Sequence, residues 1–104
     1  MTYVDALQKH SSAAYRDDRQ ARRVGARNGD LWCHLFADTV DELRTFARRI
    51  GLSASWIQGS DSIPHFDLTP ARRAAAVAAG AREIDRRQTV DLIVRLRRAK
   101  ERKG

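Results

Sequence analysis

Apolar and polar positions change their period along the chain in a way that marks out its elements. Thr2-Tyr3-Val4 is a run of β-formers and predicts a strand almost at the first residue, with Asp5 at its carboxyl end. From Leu31 to Ala37 two sets interleave, Trp32/His34/Phe36 and Leu31/Cys33/Leu35/Ala37, and both are largely apolar, as a strand covered on both faces requires. Val40, Leu43, Phe46, Ala47 and Ile50 then recur at helical spacing. Thr39-Val40-Asp41-Glu42 has the spacing of a capping box, and Gly51 supplies the left-handed stop. Ser53 to Gln58 reads as a short strand with Trp56 and Gln58 on one face, followed by a loop that ends at Pro64. Thr69 as N-cap, Pro70 at the first helical position and Gly80 at the exit bracket an Ala-rich second helix, and Ala81 to Ile84 reads as a strand. Asp85 caps a third helix in which Val90, Leu92, Ile93, Val94 and Leu96 form a wide apolar face that frays into a basic tail. Strands alternating with helices predict an α/β layered fold with a short, mostly parallel sheet and about three to four helices.

Length sets the domain count: 104 residues at 42% hydrophobic supply one modest core, so residues 1–104 are read as a single domain. No apolar run approaches the roughly 20 residues of a spanning helix, and the first residues lack a basic region followed by an apolar one. The expectation is a soluble, cytoplasmic protein without membrane contact. The single Cys33 has no partner for a disulfide or a zinc pair and reads as a buried structural thiol.

Charge adds a partner class. Twenty Lys and Arg against 13 Asp and Glu give a formal net charge of +7, which attracts polyanions, nucleic acid being the commonest. The basic residues crowd a segment over about residues 9–30, where Arg16, Arg19, Arg23 and Arg27 fall along one helix face, and the end of the chain, with Arg97, Arg98, Lys100 and Arg102.

In α/β sheets ligands collect outside the carboxyl ends of the strands, and Asp5, Asp38 and Asp67 each fall at or just after the end of a predicted strand. His34 and His65 are candidates for proton transfer, with Asp67 or Asp5 to orient them. Trp32, Trp56, Asp38 and Gln58 are candidates for ligand contact, the tryptophans by stacking a base. Arg72, Arg73, Arg97, Arg98 and Lys100 are candidates for phosphate contact. Each has a plainer role beside it: Asp38 suits the amino end of a helix without any catalysis, the tryptophans suit a core, and each histidine suits a backbone hydrogen bond. His34-Leu35-Phe36 and His65-Phe66-Asp67 lack the His-x-Thr or His-x-Ser of two-histidine phosphoesterases. There is no glycine-rich phosphate loop and no Gly-x-Ser-x-Gly. No His-x-His or Cys-x-x-Cys nucleus is present either, so spacing alone assigns no metal and no other cofactor.

Tyr3-Val4-Asp5, Trp32-Cys33-His34-Leu35-Phe36-Ala37-Asp38, Trp56-Ile57-Gln58 and His65-Phe66-Asp67-Leu68-Thr69 together resemble the motifs of small bacterial and phage domains grouped as domain of unknown function 4031. The resemblance covers nearly all of the chain from Leu31 onward and implies that the Trp, His, Asp and Gln positions belong to one site. The first expectation is binding of nucleic acid or a nucleotide-like phosphate ligand. The alternatives are a small His/Asp-dependent hydrolase acting on a phosphoester or glycosidic bond, and an interaction module for an acidic protein partner.

Overall fold

The computed structural model describes residues 1–9, 31–59 and 62–103. The basic segment expected over about residues 9–30 falls almost wholly outside the described residues. Five strands and three α-helices are present among them: β1 (Thr2–Val4), β2 (Gln8–Lys9), β3 (Leu31–Ala37), α1 (Val40–Arg49), β4 (Phe66–Leu68), α2 (Pro70–Ala78), β5 (Arg82–Glu83) and α3 (Arg86–Lys103).

The long strand β3 is the centre of the sheet. β1, β2 and β4 all pair with it antiparallel, and among the described residues only the β1–β5 pair is parallel. The sheet is therefore mixed, which corrects the expectation of a mostly parallel one. Helix-strand alternation implies parallel strands only when each connection returns the chain to the end from which it left. Here α1 is followed by a 3₁₀ turn (Ala54–Trp56) and a loop, and β4 then enters beside β3 in the opposite sense. The strand expected over Ser53 to Gln58 is replaced by that turn and one isolated bridge, Gln58 to His65.

Alternation along β3 separates two layers. Cys33, Leu35 and Ala37 join Val4, Phe66 and Leu68 on the face covered by Leu43, Phe46 and Ala47 of α1 and Ala76 of α2. Phe36 lies on the other face with Ile84 and Leu92, and half-buried Tyr3, Ile63, Ile93 and Leu96 pack around them. Burial, reinforced by the charge of Asp5, pushes the Cys33 thiol up to about 12, so this cysteine is inert packing.

The helix ends follow their sequence signals. Thr39 Oγ1 accepts from the Glu42 amide at 3.1 Å and Thr69 Oγ1 from the Arg72 amide at 3.0 Å. At α3, Gln88 N–H donates to Asp85 Oδ1 at 2.8 Å while Asp85 N–H donates to Gln88 Oε1 at 2.9 Å, a reciprocal cap. No described helix is long and apolar enough to cross a membrane.

Candidate functional site

The site begins with a substitution in the β1–β3 ladder. Val4 pairs with Leu35, but pairing resumes at Gln8 with Trp32, so three residues stand opposite two and the strand bulges at Asp5–Leu7. Asp5 N–H donates to the His34 carbonyl at 3.3 Å, as an antiparallel ladder requires. The return bond does not go to the Asp5 carbonyl. His34 N–H donates instead to Asp5 Oδ1 at 2.6 Å, and the His34 ring Nδ1 lies 2.7 Å from Asp5 Oδ2. The displaced Asp5 carbonyl accepts from Arg73 Nε at 2.9 Å, and Arg73 Nη1 holds Glu83 at 3.0 Å. One buried carboxylate thus fixes both the strand and the imidazole.

On the other edge of β3, His34 stands directly opposite Asp67. Since His34 turns its backbone N–H and carbonyl toward β1, this is the narrow, non-hydrogen-bonded kind of pair, with side chains at their closest. His65 lies two residues before Asp67 and shares its face. Its backbone bridges Gln58 through bonds of 2.8 and 3.0 Å, and its Nδ1 donates to the Ile63 carbonyl at 2.9 Å. Gly59 makes room for this turn: φ is +67°, and a Cβ there would sit 2.5 Å from the Ile63 oxygen and 3.2 Å from the His65 ring. Gly59→Ala should therefore cost about 1–3 kcal/mol from the left-handed backbone and the displaced carbonyl. Thermal unfolding checks the cost, and a change in the His65 ring resonances checks that it falls on the site.

The two imidazole rings meet edge to face, with centroids 5.1 Å apart at 78°. His65 Nε2 is 3.8 Å from Asp67 Oδ1. One ligand atom from each of His34, His65 and Asp67 lies within 4.8 Å of the other two. Both Nδ1 atoms face oxygen acceptors, so each neutral ring carries its lone pair on Nε2. The histidines are about a fifth to a quarter exposed, whereas Asp67 is 1% exposed. Trp32 meets His34 edge-on with centroids 4.6 Å apart, and Phe36 stacks on its other side at 5.3 Å.

The cluster therefore sits on the face of the sheet, at mid-strand, rather than beyond carboxyl ends. With β3 antiparallel to β1 and β4, those ends point in opposite directions and cannot gather one set of residues. A hollow of about 190 Å³ opens beside it, lined by Asp5, Gln8, His34, Arg86, Thr89 and their neighbours. A larger one of about 350 Å³ lies at the far end of β3, lined by Asp38, Ile63, Pro64, Leu96 and Lys100 among others. The smaller is lined by both members of the Asp5–His34 pair but by neither His65 nor Asp67.

The remaining candidates divide: Gln58 adjoins the cluster through its bridge to His65, whereas Asp38 lies past the carboxyl end of β3. Asp38 follows β3 and ties α3 to the sheet: Tyr3 Oη donates to it at 3.0 Å and Arg95 at 2.9 Å. Partial burial would raise its carboxyl, but these two bonds outweigh that and hold it below the usual range. Arg72 lies over the Trp56 ring at 5.1 Å, and Gln58 bridges His65 through its backbone. Arg97 and Arg98 are exposed on α3, while Lys100 Nζ donates to the Ser62 carbonyl at 3.1 Å. Sequence reasoning missed three supports: Arg73 as the clamp on the Asp5 carbonyl, the Ile63 carbonyl as the anchor of His65, and Gly59. Only Gly59 carried a local signal, a glycine beginning a polar loop.

No curated protein and no solved structure matches the chain. A family model does, over residues 15–97, so that Tyr3-Val4-Asp5 lies ahead of the matched region while both histidines and Asp67 lie inside it. The chain belongs to the family described as Protein of unknown function (DUF4031).

Proposed function

We propose that the chain binds a phosphate-bearing ligand of nucleotide or nucleic-acid type and hydrolyses a phosphoester in it at the His34–His65–Asp67 centre. The carrying observation is the convergence of two Nδ1-anchored imidazoles and a buried carboxylate within 4.8 Å. Such a set activates a water molecule for attack on phosphorus. A bond forms between the water oxygen and phosphorus, the bond to the leaving oxygen breaks, and the leaving oxygen takes up the proton that the water gives away. Asp5 fixes the tautomer of His34 and keeps its ring in place. The net charge of +7 draws polyanionic ligands, and Arg86 brings a cation to the hollow beside His34. This favours a phosphoester over a neutral glycoside.

A second reading, polyanion binding without turnover, is supported by the exposed Arg97 and Arg98 on the last turns of α3. One comparison separates the two. Hydrolysis of bis-p-nitrophenyl phosphate and binding of a mixed-sequence oligonucleotide over a salt series are measured for the wild type, for His65→Ala and for Arg97→Ala/Arg98→Ala. The hydrolase reading expects turnover that falls by about 10²–10⁴-fold in His65→Ala. If α3 carries phosphates, the arginine variant flattens the slope of log affinity on log salt by about 0.7–0.9 per lost contact. Salt-dependent binding with no turnover on any phosphoester would leave the second reading in its place.

A further inference from the structure

We infer that the convergence point of His34, His65 and Asp67 is a site for one divalent transition-metal ion, with these three side chains as its protein ligands. The inference rests on reading this cluster as the working centre, and it names the cofactor of that centre.

Four observations carry it. The donors are two imidazole nitrogens and one carboxylate oxygen, a set that suits zinc, iron(II) or manganese better than calcium or magnesium, which take oxygen ligands. Both histidines have the outer partner that metal-bound histidines use: Nδ1 of His34 faces the Asp5 carboxylate at 2.7 Å and Nδ1 of His65 the Ile63 carbonyl at 2.9 Å. Those bonds set the tautomer in which the lone pair of each neutral ring is on Nε2. Asp67 is 1% exposed on the same sheet face as Trp32 and Phe36, and its register directly opposite His34 brings its carboxylate to the two rings. Finally, three protein ligands leave coordination positions open, the mark of a catalytic rather than a structural site.

Scale and selectivity agree. Ligand atoms around a tetrahedral ion with bonds of about 2.0–2.1 Å lie about 3.4 Å apart. The spread of up to 4.8 Å therefore closes with ring and carboxylate movements of the order of 1 Å. Cys33 neighbours His34 in sequence but points to the opposite face of β3, so no thiolate enters the set and a soft, copper(I)-type site does not form. An ion bound here would hold the attacking water and lower its pKa toward about 7, which neither histidine achieves alone.

The test uses the full chain, freed of metal with a chelator and dialysed, and titrated with zinc by calorimetry, with the visible spectrum of the cobalt-loaded protein as a second readout. The expected result is one ion per chain, with affinity lowered at least about 10-fold in each of His34→Ala, His65→Ala and Asp67→Asn. Asp5→Asn, which keeps all three ligand side chains but replaces the outer partner of His34 with a donor, should lower it by at least about 10-fold and covers the case in which a ligand variant fails to fold. Zinc should also raise the melting temperature of the wild type and not that of the ligand variants. Zinc uptake that is absent, or unchanged in all three ligand variants, overturns the site. Phosphoester hydrolysis that persists in the chelator-treated protein overturns the metal while sparing the hydrolytic reading. One ion per chain without turnover on any phosphoester upholds the metal and overturns that reading.

Discussion

Asp5→Asn should leave the fold close to intact and cut phosphoester hydrolysis by about 10²–10⁴-fold. Asn keeps the shape of the side chain, and its Oδ1 still accepts from the His34 amide, so the β1–β3 rung survives. Its second atom is now an NH₂ group that faces the His34 Nδ1. A donor there requires Nδ1 to accept, which moves the ring proton to Nε2 and removes the lone pair that the centre needs. The proposed hydrolysis thus uses Asp5 as a positioning residue that acts through His34. Two readouts isolate that role from a general loss of structure: ¹⁵N chemical shifts of the His34 ring, which report the tautomer, and thermal unfolding, which should move little. An unchanged tautomer together with full activity would mean that the Asp5–His34 contact only braces the strand.

Phe66→Ala should lower the free energy of unfolding by about 3–5 kcal/mol. Phe66 is fully buried, pairs with Leu35 across the sheet and packs in the layer under α1 and α2. Small domains are stable by only about 5–15 kcal/mol, so this one truncation removes a large share of the total. Its neighbour His65 points to the opposite face and is 22% exposed, so His65→Ala should cost much less. Denaturant titration of the two variants compares the faces of one strand directly. If Phe66→Ala cost under about 1 kcal/mol, the division of the sheet into a packing face and a chemical face would be wrong.

Much of this division was legible in the sequence, because strand alternation has a fixed period of two. Trp32, His34 and Phe36 had to share a face, and Thr39, Thr69 and Asp85 marked helix starts that the structure contains. Strand direction was not legible. The path from α1 through Trp56 to His65 decides whether β4 enters parallel or antiparallel, and residues 53–58 alternate like a strand but form a 3₁₀ turn and one bridge. Register across β3 depends on that path, so the pairing of His34 with Asp67 had no local signature. The Asp5–His34 bond joins positions 29 residues apart through a bulge, a feature set by the ladder and not by either segment alone. The partners of Asp38 were not legible either, for a related reason. Its position after a strand and before a helix looked like a ligand position, and the structure gives it to Tyr3 and Arg95.

The central claim is that His34 and His65 act as one unit with Asp67. A double-mutant cycle on phosphoester hydrolysis tests this most directly, with His34→Ala, His65→Ala and the combined variant measured under saturating zinc and with circular dichroism as the folding control. Residues of one unit are not additive. The expected result is that each single substitution removes nearly all turnover and that the pair loses little more, a coupling of at least about 2 kcal/mol. Losses that multiply independently, or a single variant that retains wild-type turnover, would contradict the claim that these side chains form one centre.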